Sequence, residues 1–220
     1  MRKIIFAALV VFSGLQYFAV SLLADPNERE KSLAMMMMGL SETDYKLGLG
    51  IAHKDADAIK AALDAGADPN KRGLENETQL MMACQNGLDP KIIKMLLDYH
   101  ASPDLQDVEG YTALIFASRG SGPETLKLLL ASGADPNHRI HNDDPKGRGK
   151  AEGYTALMIA CQMGRKENVK VLLAYGADAT LVSADGQSAF SLAEHLNNKD
   201  ILNLLEGRAD PAKKEEKKSP

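Results

Sequence analysis

The sequence predicts an all-α solenoid of about five stacked helix pairs with capping ends. Three observations predict it. Two unrelated short motifs recur along the chain, each at a spacing near 33 residues. Apolar residues make up 45% of the 220-residue chain while aromatics make up only 5%, so the core is built from Leu, Ala, Ile and Met, as in arrays of short helices. Glycine follows the helical stretches at regular intervals, where it can close a helix in the left-handed conformation.

The first motif appears four times: ENETQLMMACQNG from Glu75, EGYTALIFASRG from Glu109, EGYTALMIACQMG from Glu152 and DGQSAFSLAEHL from Asp185. Its hydroxyl residues are Thr78, Thr112, Thr155 and Ser188, spaced by 34, 43 and 33 residues. The second motif reads GADPN at Gly66–Asn70, HASPD at His100–Asp104, GADPN at Gly133–Asn137 and GADAT at Gly176–Thr180, spaced by 34, 33 and 43. Both sets agree on one unit length and on one insertion of about ten residues in the fourth unit.

These motifs resemble the ankyrin repeat family, whose pattern is a turn, a G-x-T-P-L-H-x-A helix, a second helix rich in Val and Leu, and a closing G-A-D. The closest unit is DVEGYTALIFASRGSGPETLKLLLASGADPN, Asp107 to Asn137. Ala113 and Ala156 replace the family's Pro, and Ile115 and Met158 its His. The resemblance runs from Tyr45 to about Glu206, and implies a solenoid of repeats near 45–70, 71–104, 105–137, 138–180 and 181–207.

Each element has its own physical reason. In Thr155 to Cys161 the apolar positions leave only a narrow polar face, which suits a helix packed between two neighbours. Thr155 is placed to cap that helix. The second helix, Asn168 to Tyr175, carries Val169, Val171, Leu172 and Leu173 and ends at Gly176. The first repeat lacks the Gly-x-Thr turn, and its helices are placed at Tyr45–His53 and Asp57–Ala65. Residues 25–44 are read as an N-terminal cap, with a helix from Asp25 and Pro26 to about Met38; Met35 to Met38 are alternatively an adaptable partner patch. The last repeat carries Glu194, Asn197, Asn198 and Asn203 and no GAD motif, which suits a C-terminal cap with a wet outer face. Residues 208–220, RADPAKKEEKKSP, have no apolar period and read as a disordered charged tail.

The start of the chain reads as an export signal. Arg2 and Lys3 precede an uncharged run from Ile4 to Ala24 that Asp25, Pro26 and Asn27 end. Ser13, Gly14, Gln16 and Ser21 weaken the run, which favours a signal peptide; an uncleaved membrane anchor is the alternative, since the run is long enough to span a bilayer. Cleavage fits after Ala24 or after Ala19-Val20-Ser21. Removing residues 1–24 takes away Arg2 and Lys3 and no acid, so the formal charge moves from -4 to -6. The expected compartment is therefore the bacterial periplasm or the exterior.

Known catalytic motifs are missing: there is no G-x-S-x-G, P-loop or H-E-x-x-H. No cofactor is predicted, and a mild negative charge without a basic stripe argues against nucleic acid. Cys84 and Cys161 each fall six residues after a motif Thr, an inward position two repeats apart. Helices packed about 8–10 Å apart place them near 20 Å from each other, whereas a disulfide needs Cα atoms within about 7 Å. Both read as buried free thiols. A Cys161–His195 pair on neighbouring first helices is the other possibility considered, but His195 sits one position further on and faces outward. The insert at 138–150 is polar and Gly-containing and predicts an exposed finger. It is read as a tolerated insertion or a partner-contact loop; a metal site from His138, His141, Asp143 and Asp144 is the weaker alternative. Asn76-Glu77-Thr78 matches a glycosylation sequon, although Thr78 is already explained by the repeat.

The family resemblance implies protein binding through the turn fingers and the concave face of the first helices, and a groove without catalytic geometry implies binding rather than turnover; the free chain is expected to be a monomer. Carried over position by position, it names Arg72, Leu74, Glu75 and Glu77 in the second repeat's finger. It names Gln106, Val108, Glu109 and Tyr111 in the third, and Lys150, Glu152 and Tyr154 in the fourth. On the first helices it names Gln85, Arg119, Gln162 and His195, one per repeat. Tyr111 and Tyr154 are the best candidate anchors, because exposed tyrosines combine apolar area with a hydroxyl; the equal alternative is that both simply pack along the finger.

Overall fold

A computed structural model of the chain describes residues 35, 39–73, 75–141 and 151–209. The proposed export signal, nearly all of the proposed N-terminal capping helix, most of the insert and the tail from residue 210 lie outside the described residues.

Ten helices follow one another in five pairs among the described residues. They are α1 (Glu42–His53) and α2 (Ala56–Asp64), α3 (Gln79–Gln85) and α4 (Pro90–Asp98), α5 (Ala113–Gly120) and α6 (Pro123–Ala131). The series continues with α7 (Ala156–Gln162) and α8 (Lys166–Ala174), then α9 (Ala189–His195) and α10 (Lys199–Ala209). First helices stack on first helices and second helices on second helices, so the described residues form two layers, with each pair packed on its neighbours. Among the described residues the β-pairing is limited to one isolated bridge between Val182 and Ser188, so the fold is the all-α solenoid that the sequence predicts.

Helix starts follow from side-chain caps. Thr78, Thr155 and Ser188 accept the backbone N–H of Met81, Met158 and Ser191. Thr112 makes no such bond, and its buried hydroxyl has no hydrogen-bond partner. The first repeat begins at Glu42 rather than Tyr45, because Ser41 and Asp44 form a reciprocal capping box one turn earlier. Asp55 and Asp89 cap α2 and α4, and Pro90 and Pro123 occupy the first helical position of α4 and α6. The second helix of repeat four starts at Lys166, ahead of Asn168. The Asn168 side chain is buried and reaches across to the third repeat, donating to the carbonyl of Ser121 at 3.0 Å. Ser121 in turn donates to the carbonyl of Cys84 in the second repeat at 3.0 Å.

The closing motif has a second duty that its sequence did not disclose. Its last residue bonds to the same motif one repeat later. Asn70 accepts the N–H of Ser102 at 2.7 Å and donates to the His100 carbonyl at 2.8 Å. Asp104 accepts the N–H of Asp135 at 2.9 Å. Asn137 accepts the N–H of Asp178 at 2.7 Å and donates to the Gly176 carbonyl at 3.1 Å. At the start of the stack Asp44 plays the accepting role for Asp68, at 2.8 Å. His100, where the other repeats have Gly, adopts the same left-handed backbone with φ 65°.

The core lies between the layers. Leu80, Leu114 and Leu157 of the inner helices meet Ile93, Leu126, Leu129, Val169 and Leu172 of the outer ones, all of them buried. Each such side chain contributes about 1.5–3 kcal/mol relative to exposure. Cys84 and Cys161 are free and buried, as their register implies, on helices separated by α5. Burial raises both thiols, Cys161 to about 12, so neither ionises near neutral pH.

The side-chain ladder predicts a specific cost. Asn137→Ala removes both bonds to the next repeat and should lower unfolding free energy by about 1–2 kcal/mol in urea titration. An unchanged midpoint would show that the ladder is ornamental.

Candidate partner-binding surface

Each finger is closed at its base by a backbone hydrogen bond. Gly73 N–H donates to the Glu77 carbonyl, Asp107 to Tyr111, Ile140 to Tyr154 and Ser183 to Gln187, at 2.9, 3.1, 2.9 and 2.9 Å. Fingers are also tied to each other: Val108 N–H reaches the Glu75 carbonyl at 2.9 Å and Ala184 N–H reaches that of Glu152 at 3.0 Å. Two arginines at the same register position repeat one staple, Arg72 to the Gln106 carbonyl and Arg139 to that of Val182, at 2.9 and 2.6 Å. Gly110 has φ +82°, and a Cβ there would lie 2.4 Å from the His141 carbonyl oxygen, so the third and fourth fingers meet backbone to backbone.

The candidate residues fall into three groups. Gln85, Arg119, Gln162 and His195 are all exposed, each seven residues after its repeat's Thr or Ser. Their predecessors in the first three of those helices, Cys84, Ser118 and Cys161, are buried. One helical step thus separates core from surface. Gln106 and Val108 are exposed on the third finger, and Glu75 is half-buried. Arg72 is exposed but committed to its staple.

Two assignments need correction. Tyr154 is 6% exposed, not an exposed anchor, because the fourth finger packs it against the stack while its hydroxyl points to Asp185 at 3.5 Å. Glu77 is 9% exposed, directly before the buried cap Thr78, and so offers little carboxylate to a partner. Lys150 and Leu74 lie outside the described residues. At the insert's neck, His138 Nε2 lies 3.0 Å from the Gly110 carbonyl and His141 Nδ1 lies 2.9 Å from a Glu152 carboxylate oxygen. The two rings therefore serve separate contacts. Asp143 and Asp144 lie outside the described residues, and no metal-holding group of His, Cys, Asp and Glu occurs among the described ones.

The structure brings four of the named residues together. Tyr111, Arg119, Tyr154 and Gln162 line a groove of about 320 Å³ between the third and fourth repeats. Ile115, Phe116, Ala151, Ile159 and Met163 complete it. Tyr111 stacks on Phe116 with ring centroids 5.4 Å apart. Phe116 and Met163 were not singled out from sequence, yet a signal was present. Ile115, Phe116 and Arg119 share one face of α5, while Ile159, Gln162 and Met163 follow helical spacing at the end of α7.

Asp107 holds the finger that presents Tyr111, accepting the N–H groups of Glu109 and Tyr111, both at 2.9 Å. Burial pushes its carboxyl up to about 6, and nearby Glu109 and Glu75 act in the same direction.

A family model for ankyrin repeats matches residues 47–140 and 138–215, and the chain belongs to that family. Similar proteins include a human transient receptor potential cation channel, subfamily A member 1, 32% identical over 109 residues, or 49% of this chain and 10% of the channel. The mouse ankyrin repeat and SAM domain-containing protein 6 is 40% identical over 82 residues, 36% of this chain and 9% of its own length. An ankyrin repeat-containing protein of Treponema pallidum (strain Nichols) is 37% identical over 67 residues, 30% of this chain and 22% of its own. The chain thus spans a small fraction of the relatives it matches. Ankyrin repeats are protein–protein interaction modules, and the family is typically non-enzymatic.

A pH dependence follows from Asp107. Its folded value, about 6, lies above the ordinary 3.8, so its contribution to stability is full below 3.8 and is lost as pH rises through about 6. Asp107→Asn should flatten urea stability across that window and leave the variant more stable than the parent at neutral pH. A variant with the parent's slope would contradict the assignment.

Proposed function

We propose that this chain is an exported protein-binding module that holds a partner through the concave face and fingers of its third and fourth repeats. The groove between Tyr111 and Gln162 carries this reading. It combines apolar walls with a few polar groups on a rigid two-layer scaffold, the general form of a recognition site. The buried thiols and the separately engaged histidines supply no nucleophile–base pair, which favours binding over turnover.

Export rests on the first 24 residues of the sequence. The second reading, a scaffold tethered by an uncleaved N-terminal segment, uses the same array. No helix among the described residues is long and apolar enough to cross a membrane, so a tether would have to come from that segment. Mass spectrometry of the chain from its native compartment separates the two. A mature chain beginning near Asp25 supports export, and an intact Met1 in the membrane fraction supports the tether.

Partner capture tests the surface. Arg119→Glu with Gln162→Ala changes two exposed side chains and should leave stability within about 0.5 kcal/mol while abolishing crosslinking to the native partner. Undiminished crosslinking would reject the site. Tyr154 is unsuitable as a probe, since truncating a buried aromatic side chain costs about 3–5 kcal/mol by itself.

A further inference from the structure

The chemistry of the groove narrows what it binds. Arg119 stands exposed in the last turn of α5, with no ion pair or hydrogen bond among the described residues. Across the groove the Gln162 amide is exposed at the end of α7, and half-buried Tyr111 lines the same space. All three can donate hydrogen bonds, and one carries a full positive charge. The hydroxyl of Tyr154, a fourth candidate, is turned to Asp185.

We propose that the groove seats a partner peptide in which a large apolar side chain stands next to a carboxylate. The apolar side chain lies among Tyr111, Phe116 and Met163, and the carboxylate meets Arg119. This rests on the protein-binding reading and adds the partner's chemistry to it. A volume of about 320 Å³ is at the small end for ligand sites and matches a side chain or two rather than a large cofactor.

Charge also sets the direction. Glu75, Asp107 and Glu109 stand on the finger side of Tyr111, and Asp107 already feels both neighbours. A carboxylate placed there would be repelled, so the peptide's acid points toward the helix ends and its uncharged or basic residues toward the fingers. The chain's own tail does not qualify as occupant. Residues 208–220 contain lysines, glutamates, prolines and alanines but no large apolar side chain.

Titration of the full chain with three blocked peptides tests this, read from amide chemical shifts by NMR. The peptides are acetylated and amidated Glu-Leu-Phe, Gln-Leu-Phe and Lys-Leu-Phe. The Glu peptide should move the signals of Tyr111, Phe116, Arg119 and Met163 and bind about two- to fivefold tighter than the Gln peptide at low salt, the range of an exposed ion pair. Arg119→Gln should bring those two peptides to equal affinity without weakening the Gln peptide. Equal binding of the Glu and Gln peptides to the parent overturns the proposal. Tighter binding of the Lys peptide at the same residues overturns the acid preference yet keeps the groove as a peptide site. Silence from all three peptides overturns the proposal and counts against the protein-binding reading as well. Concentration-dependent shifts of the same signals without peptide would assign the groove to a second copy of the chain and overturn it too.

Discussion

Six consecutive side chains of α7, Ala156 to Cys161, are buried, and no single neighbour could cover them all. A helix about 10–12 Å across meets α8 on one side and α5 and α9 along the stack. Everything else follows from this demand for two flanking neighbours. It forces the pairs into a row, and it forces small residues such as Ala117, Ala160 and Cys161 where the helices approach. It also makes the two ends different from the middle. At the C-terminal end Ile201 and Leu205 are buried against the stack, while Glu194, Leu196 and Asn197 face water.

Apolar contact alone would let neighbouring pairs slide, because dispersion is not directional. Polar side chains set the register. Asn70, Asp104 and Asn137 bond forward to the next closing turn, while Asn168 and Ser121 bond backward to the ends of preceding inner helices. These bonds satisfy backbone groups that helix ends leave open. The groove depends on the same register. Its walls come from two repeats, and a slip by one residue would exchange Arg119 for buried Ser118.

Much of this was legible because the repeat samples the same physics several times. The Thr-to-Cys interval of six residues located both thiols in the core, and the next residue located the outward row. The sequence leaves Tyr154 open between an exposed anchor and a residue packed along its finger, because the insertion hides its surroundings; the structure shows it buried. Tyr111 and Tyr154 precede equivalent threonines, and Asp107 and Ile140 donate to their carbonyls alike, but the donor is a half-buried carboxylate residue in the third finger and a fully buried isoleucine in the fourth. Burial of that kind depends on contacts between segments far apart in sequence, which no local pattern reports. The forward-bonding Asn ladder was invisible for the same reason. GADPN reads locally as a helix stop, and its partner lies about thirty residues away. The capping box at Ser41, by contrast, is written in the sequence itself as Ser-x-x-Asp.

The central claim is that the stack offers a recognition groove between the third and fourth repeats. Hydrogen–deuterium exchange of the chain with and without its native partner tests this most directly. Protection confined to the third finger, the end of α5, the base of the fourth finger and the end of α7 is the predicted result. Protection centred on the outer helices α4, α6 and α8, with the groove unchanged, would contradict it.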